Sequence, residues 1–313
     1  MINEQQKMAN QNMIVKFIVG SKLYGTDTPE SDTDYEGVFI QPMDVKLSLH
    51  KIEEVHCGTK AEGSQRQNNP DDVDFKMYAV DQFIHLLACN NPNKIELLFA
   101  EPIYTTRYWD MIREKKDLFL SQKIASSFMG YAHQQKQHLL NKRRRLDSFR
   151  SAKDYLNTLT ELTPEISHNL ITERKENGFR LFEKFFQYNL HCLEDVKGYV
   201  DAQINQYGHR TLSLDKFGYD TKFASHIFRL LVEAIDLMKY QTLSYPISER
   251  DFVLRVKSGY YELEEVLLLI DEYTTKFRKA ESETKLRKLP DDEGINRLLA
   301  LVYKVYWMDN DMI

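Results

Sequence analysis

The run FIVGSKLYGTDTPESDTDYEGVFI, residues 17–40, constrains the fold more than any other stretch of the chain. An apolar strand, Val15 to Val19, runs into a tight Gly20-Ser21 turn. A second strand-like run over 35–42 alternates and stops at Pro42, with Asp32 and Asp34 at its head. Side chains at i and i+2 of a strand share a face, so Asp32 and Asp34 can converge on one cation while Thr33 points the other way. Carboxylate and phosphate oxygens are the ligands Mg²⁺ takes, and a glycine turn whose N–H groups face an anion suits a polyphosphate. The same letters also allow a plain acidic loop, because Pro29, Ser31 and the aspartates are turn formers.

Two carboxylates from one strand are too few for a two-cation site, so a third is sought on a neighbouring strand. Val73-Asp74-Phe75 supplies the candidate, one carboxylate between apolar neighbours in a short strand from Val73 to Met77. If the two strands are adjacent, Asp74 reaches the Asp32/Asp34 pair, and the set points to nucleotidyl transfer. Asp71-Asp72 next to it leave an acidic loop end as the other reading.

The remainder of the chain divides by texture. Residues 44–56 read as one strand or a hairpin, and 57–72, rich in Gly, Asn, Pro and charge, as a mobile loop. VDFKMYAVDQFIHLLACNNPN gives the short strand and then an amphipathic helix that stops at Asn-Asn-Pro. From about residue 107 a helical period dominates, with segments at 110–119, 122–150, 151–162, 173–197, 221–240, 248–256, 261–282 and 293–306. Residues 198–220 read as the main interruption. The expectation is an α+β chain, an N-terminal α/β domain over 1–106 followed by a mostly α-helical domain over 107–313.

Composition narrows the classes. With 313 residues the chain is long enough for two domains, and 42% hydrophobic with 28% charged residues is ordinary for a globular protein. A net charge of −5 means that nucleic-acid binding would need local basic patches. Cys57, Cys89 and Cys192 lie far apart without ligand spacing, which suggests a reducing compartment. No apolar run approaches the ~18 residues of a membrane span, and MINEQQKMANQN lacks the apolar core of a signal peptide, so a cytoplasmic protein with no membrane partner is expected.

Two basic groups stand out. Lys222, His226 and Arg229 fall at i, i+4 and i+7, along one face of the 221–240 helix beside the stripe Phe223, Ile227, Leu230, Leu231, Ala234. They are placed to clamp phosphates, or form a solvated face with a histidine at its rim. Lys142, Arg143, Arg144 and Arg145, with Lys136 and Arg150 nearby, form the densest basic cluster. They are placed to grip an RNA backbone, or form a wet helix face. Tyr24 either stacks on a base or covers the turn.

Gly-Ser, a spacer, Asp-x-Asp and a later apolar-Asp-apolar strand resemble the DNA polymerase β-like nucleotidyltransferase superfamily. GSKLYGTDTPESDTDYEGVF is similar to the branch of predicted nucleotidyltransferases associated with RNA repair. NNPNKIELLF, GYDTKFASHIFRLL, YPISERDFVLRVKSGYYELEEV and Leu289-Pro290 extend that resemblance over roughly 17–290. Lys22 keeps the charge of the Arg-like residue that usually follows Gly-Ser. The resemblance implies a nucleotidyltransferase-type mixed sheet flanked by helices. It also implies Mg²⁺ (or Mn²⁺) held by Asp32, Asp34 and Asp74 as catalytic ligands, and a nucleoside triphosphate such as ATP bound through Gly20, Ser21, Lys22 and Tyr24, with Lys222, His226 and Arg229 added from the helical half. An NMP would pass to a hydroxyl, expected on a tRNA-like RNA end gripped by Lys142 to Arg145, with release of pyrophosphate. Nucleotidylation of a protein hydroxyl, such as AMPylation, or NTP binding without turnover are the alternatives. Oligomeric state is not legible.

Overall fold

The computed structural model describes residues 4–29, 31–58, 73–161, 192–208 and 210–312. Helix α1 (Glu4–Gln11) leads into β1 (Met13–Val19), a one-turn helix α2 (Ser21–Tyr24) and β2 (Thr33–Phe39). Then come α3 (Met43–Lys46), β3 (Glu54–His56), β4 (Val73–Ala79), α4 (Val80–Ala88) and α5 (Pro92–Ile95), a 3-10 turn over Glu96–Leu98, and β5 (Tyr104–Thr105). Helices α6 (Arg107–Arg113), α7 (Lys123–Asn157), α8 (Leu193–Asn205), α9 (Arg210–Phe217), α10 (Thr221–Tyr240), α11 (Arg250–Lys257), α12 (Leu263–Glu283) and α13 (Asp292–Asp309) complete the described chain. An α+β chain with a mixed sheet and a helical C-terminal region is what the sequence led one to expect.

The five strands lie in the order β3-β4-β2-β1-β5. β2 and β4 run parallel; β1 pairs antiparallel with β2 and β5, and β3 antiparallel with β4. One sheet face is apolar, with Phe39, Phe75, Met77 and Ala79 packed together with Ala9 and Val55. The other changes along its length. It carries Asp34 beside Asp74, then Glu36 beside Lys76, then Val38 beside Tyr78. On β1, Phe17 is level with Glu36 and meets the buried Trp109 edge-on at 5.3 Å, with Phe83 on the same ring at 5.7 Å. The alternation of β2 and β4 therefore delivers acidic side chains at one end of a face that is apolar at the other.

The chain forms two compact units, residues 1–136 with 221–313, and residues 137–220. The boundary expected at 106 thus does not coincide with the packing, which returns the C-terminal helices to the unit of the sheet. In the first unit α10 is buried on nearly every side, Arg229 and Glu233 included. Phe228 meets Phe252 at 5.0 Å and Tyr273 at 5.5 Å, and Phe252 stacks on Tyr273 at 5.1 Å. In the second unit Phe149, Ala152 and Leu156 of α7 pack on Leu193, Val196 and Val200 of α8.

Several local expectations change. Residues 198–220 hold most of α8 and all of α9 rather than an interruption, and the segments expected at 122–150 and 151–162 meet in one helix of 35 residues, Lys123–Asn157. The stretch after α4 is helical over Pro92–Leu98, where Asn91 caps α5 by accepting the Asn93 N–H with Pro92 at the first turn. Residues 44–56 hold a helical turn and a three-residue strand. Most of the expected loop at 57–72, and most of the expected helix at 173–197, lie outside the described residues.

Candidate active site

Asp34 and Asp74 are register partners on adjacent parallel strands, side by side on one face of the sheet. Asp32 precedes β2 by one residue instead of lying within it. Its charge nevertheless acts on Asp34. Burial pushes the Asp34 carboxyl up to about 6, helped by Asp32 and Asp74, while Lys222 and Lys22 oppose the shift. Three carboxylates thus neighbour one another with two lysines facing them.

The turn at the end of β1 is shaped for this. Gly20 has φ 70° and ψ −147°, a conformation that a side chain rarely tolerates. A Cβ there would lie 2.9 Å from Asp34 Oδ2, so only glycine lets the turn close over the carboxylate. The turn continues as α2, whose Ser21 carbonyl accepts the Thr26 N–H at 2.8 Å. Lys22 donates to Thr33 Oγ1, which ties α2 to the head of β2. Gly58 lies against the backbone at the head of β4. A Cβ on it would meet the Val73 carbonyl at 2.8 Å and Asp74 Oδ1 at 3.8 Å.

One row further in, Glu36 is paired with the buried Lys94, whose ammonium sits 4.2 Å over the Tyr78 ring. Burial raises the Glu36 pKa against the pull of Lys94. This pair closes the floor beneath Asp34 and Asp74.

Two residues expected on the nucleotide surface are inside instead. Tyr24 is 6% exposed, and its hydroxyl donates to the Glu96 carboxylate at 3.0 Å. Arg229, also 6% exposed, bridges Glu96 and Glu233 at 2.9 Å each, donates to Asn93 Oδ1 at 3.2 Å, and lies 4.5 Å over the Tyr24 ring. Tyr245 donates to the other Glu233 oxygen at 3.1 Å. Burial drives the Glu96 carboxyl up to about 8 in spite of Arg229, with Glu233 adding to the rise. Burial raises Glu233 as well, so two carboxyls share the one guanidinium. The physical reason for the misplacement is that i, i+4, i+7 spacing reports a helix face and not whether that face meets water. Of the three expected positions on α10, Lys222 is exposed and acts on Asp34, and His226 is half-buried one turn further on.

The basic cluster is also largely engaged within its own unit. Lys142 pairs with the buried Asp220 at 2.8 Å. Arg143 donates to Asp147 at 2.8 Å and to the Leu214 carbonyl, and Arg150 forks onto Asp215 at 2.6 and 2.8 Å. Arg145 lies 5.6 Å over the Phe149 ring. The partners at 215 and 220 fall where the sequence suggested an interruption, so the neutralisation was invisible there.

Among the described residues, no three His, Cys, Asp or Glu side chains are gathered tightly enough to hold a metal ion as they stand. The chemistry of Asp32, Asp34 and Asp74 still fits a hard divalent cation. All three are oxygen donors, and their mutual repulsion at Asp34 is what a cation relieves.

This arrangement of Gly-Ser turn and paired strand carboxylates can be set beside known proteins. The profile of RlaP, described as the RNA repair pathway DNA polymerase beta family, matches residues 2–300. The chain belongs to the RlaP family. Membership places it in a DNA polymerase beta family of the RNA repair pathway. A relative in sequence is the uncharacterized 38.9 kDa protein in the nrdC–mobD intergenic region of Enterobacteria phage T4, 23% identical over 305 residues, covering 86% of this chain and 90% of that one. The crystal structure of a nucleotidyltransferase-like protein from Exiguobacterium sibiricum 255-15 aligns over 97% of this chain and 76% of its own. Identity there is 9% and the TM-score 0.25, too low to establish a shared fold.

The sequence did not single out Lys94, Glu36, Glu96, Glu233, Gly58 or Lys257 of this RlaP chain. Lys94, Glu96 and Lys257 sit in the runs NNPNKIELLF and RDFVLRVKSGYYELEEV, which carried a resemblance but no assigned role.

No helix among the described residues is long and apolar enough to cross a membrane.

Proposed function

We propose that the protein is a metal-dependent nucleotidyltransferase that moves an NMP from an NTP onto a hydroxyl of an RNA end. The observation that carries this reading is the register pairing of Asp34 with Asp74 on one sheet face, with Gly20 pressed against Asp34. In the reaction the acceptor oxygen bonds to the α-phosphorus, the bond from that phosphorus to the bridging oxygen breaks, and pyrophosphate leaves. Asp32, Asp34 and Asp74 would hold Mg²⁺ or Mn²⁺, which when bound neutralises charge on the entering and leaving oxygens. Asp74, the exposed member of the set, accepts the proton of the acceptor hydroxyl. Gly20 and Ser21 hold the phosphates by backbone N–H and hydroxyl, and Lys22 and Lys222 offset their charge. Much of the acceleration then comes from positioning and electrostatics.

RNA as acceptor is supported by the description of the family. The cluster at 142–145 no longer supports it, since Lys142 and Arg143 are held by Asp220, Asp147 and Asp215. The test is incubation with each α-labelled NTP and Mg²⁺ or Mn²⁺ in the presence of total RNA and total protein. Label in RNA with equimolar pyrophosphate, lost in Asp32→Asn and Asp34→Asn, is expected. Label in protein alone would replace the acceptor. Transfer that persists at the wild-type rate in the double variant would end the assignment.

A further inference from the structure

The segment from Pro246 to Lys257 is fastened to the turn that follows Gly20-Ser21 by three successive carbonyls. The Ile247 N–H reaches the Tyr24 carbonyl at 3.3 Å, Arg250 Nε the Gly25 carbonyl at 2.6 Å, and Lys257 Nζ the Thr26 carbonyl at 2.5 Å. Gly25 makes the approach possible, since a Cβ there would lie 2.8 Å from Pro246 Cβ. Thr26 is itself bonded back to Ser21, so the Lys257 ammonium is delivered to the edge of the phosphate turn.

That ammonium has company of its own sign. Lys257 is half-buried, and burial followed by the charge of Lys222 lowers its pKa, with Asp27 and Asp32 opposing. Lys222 also acts on Asp34. Two lysines from different helices, α10 and α11, are thus held near each other beside the carboxylates. Thr26 accepts one of the three hydrogens of the Lys257 ammonium, which leaves donors for an anion. Like charges held near one another are unfavourable unless an anion lies between them. A chain of phosphates with a divalent cation matches both halves, its oxygens toward the lysines and its cation toward the carboxylates.

We propose that Lys257 is a phosphate ligand which, with Lys222, binds the polyphosphate tail of the nucleotide. The assignment deepens the transfer reading and rests on it for the identity of the nucleotide. Inorganic tripolyphosphate with Mg²⁺ probes the clamp by itself, through calorimetry on the full chain and its variants Lys257→Arg, Lys257→Gln and Lys257→Met. Gln keeps a donor for the Thr26 carbonyl without the charge, and Arg keeps both. Wild type is expected to bind, with Lys257→Arg within about threefold and Lys257→Gln and Lys257→Met weaker by about tenfold or more, the size of one charged phosphate contact.

If Lys257 only braces the turn, Lys257→Gln binds like wild type and only Lys257→Met loses affinity, which overturns the proposal. Wild type that does not bind tripolyphosphate overturns it as well, even where label transfer from an NTP is seen. Binding with the expected variant order but no transfer of label leaves the clamp standing and removes the transfer reading instead. Should Lys257→Met fail to fold, the Arg and Gln variants carry the test.

Discussion

Replacing Arg229 by Met removes the cation from a closed group and keeps an unbranched apolar stem. The side chains of Glu96 and Glu233 are each 2% exposed, and both accept from Arg229 at 2.9 Å. Breaking a buried pair from one side leaves an uncompensated charge and costs about 3–5 kcal/mol. A second carboxyl raises that figure, so ~3 kcal/mol is the reasonable floor. Losing the guanidinium over the Tyr24 ring adds roughly 1 kcal/mol. Against a typical total of about 5–15 kcal/mol, Arg229→Met sits near the edge of folding. Urea unfolding followed by far-UV circular dichroism measures the loss directly. Adding Glu96→Gln and Glu233→Gln to Arg229→Met should recover most of it, because neutral amides do not need the cation. A variant that unfolds at the wild-type midpoint but binds nucleotide poorly would refute this reasoning and return Arg229 to the ligand surface.

Asp34→Asn should stabilise the metal-free protein near neutral pH. The folded pKa of about 6 lies above the ordinary carboxylate value, so the native state holds the extra proton between the two, and the cost is present above pH 6 and absent below about pH 4. Discounted for partial exposure the gain is about 1 kcal/mol. Thermal melts in chelator should show it at pH 7.5 and lose it at pH 4, and a destabilised variant at pH 7.5 would count against the repulsion. Gly20→Ala forces a Cβ onto Asp34 and an unfavourable backbone, so melting should fall by the equivalent of about 1–3 kcal/mol and label transfer should drop with it. Unchanged melting would show that the turn relaxes freely. Lys142→Ala removes the ion pair to the buried Asp220 and should lower the urea midpoint while hardly altering RNA affinity in a filter-binding assay; the reverse pattern would restore the basic cluster as an RNA grip.

How far the site was legible follows from the range of the signals. Asp34 and Asp74 could be paired from sequence because each stands in a short apolar strand, and a period of two fixes the face once the strands are neighbours. Gly20 was legible as a turn, though its contact with Asp34 was not, since closeness across strands leaves no mark on local pattern. Arg229 and Tyr24 were misjudged because charge and aromaticity are compatible with both surface and interior. Their burial depends on Glu96, 133 residues from Arg229 along the chain. Residues 198–220 contain Gly198, Gly208 and Gly218 and several tyrosines, which hid two helices behind turn-forming letters. Lys142 and Arg143 could be seen as a cluster, but their partners Asp215 and Asp220 could not be assigned to them without the fold.

In the proposed function Asp32, Asp34 and Asp74 together hold a divalent cation beside a nucleotide. Electron paramagnetic resonance of Mn²⁺, titrated into the protein with a non-hydrolysable NTP analogue, reports this without depending on the acceptor. Bound Mn²⁺ that appears with the analogue, and is abolished in both Asp34→Asn and Asp74→Asn, is the predicted result. Mn²⁺ that binds with undiminished affinity when Asp34 and Asp74 are both replaced would contradict the account.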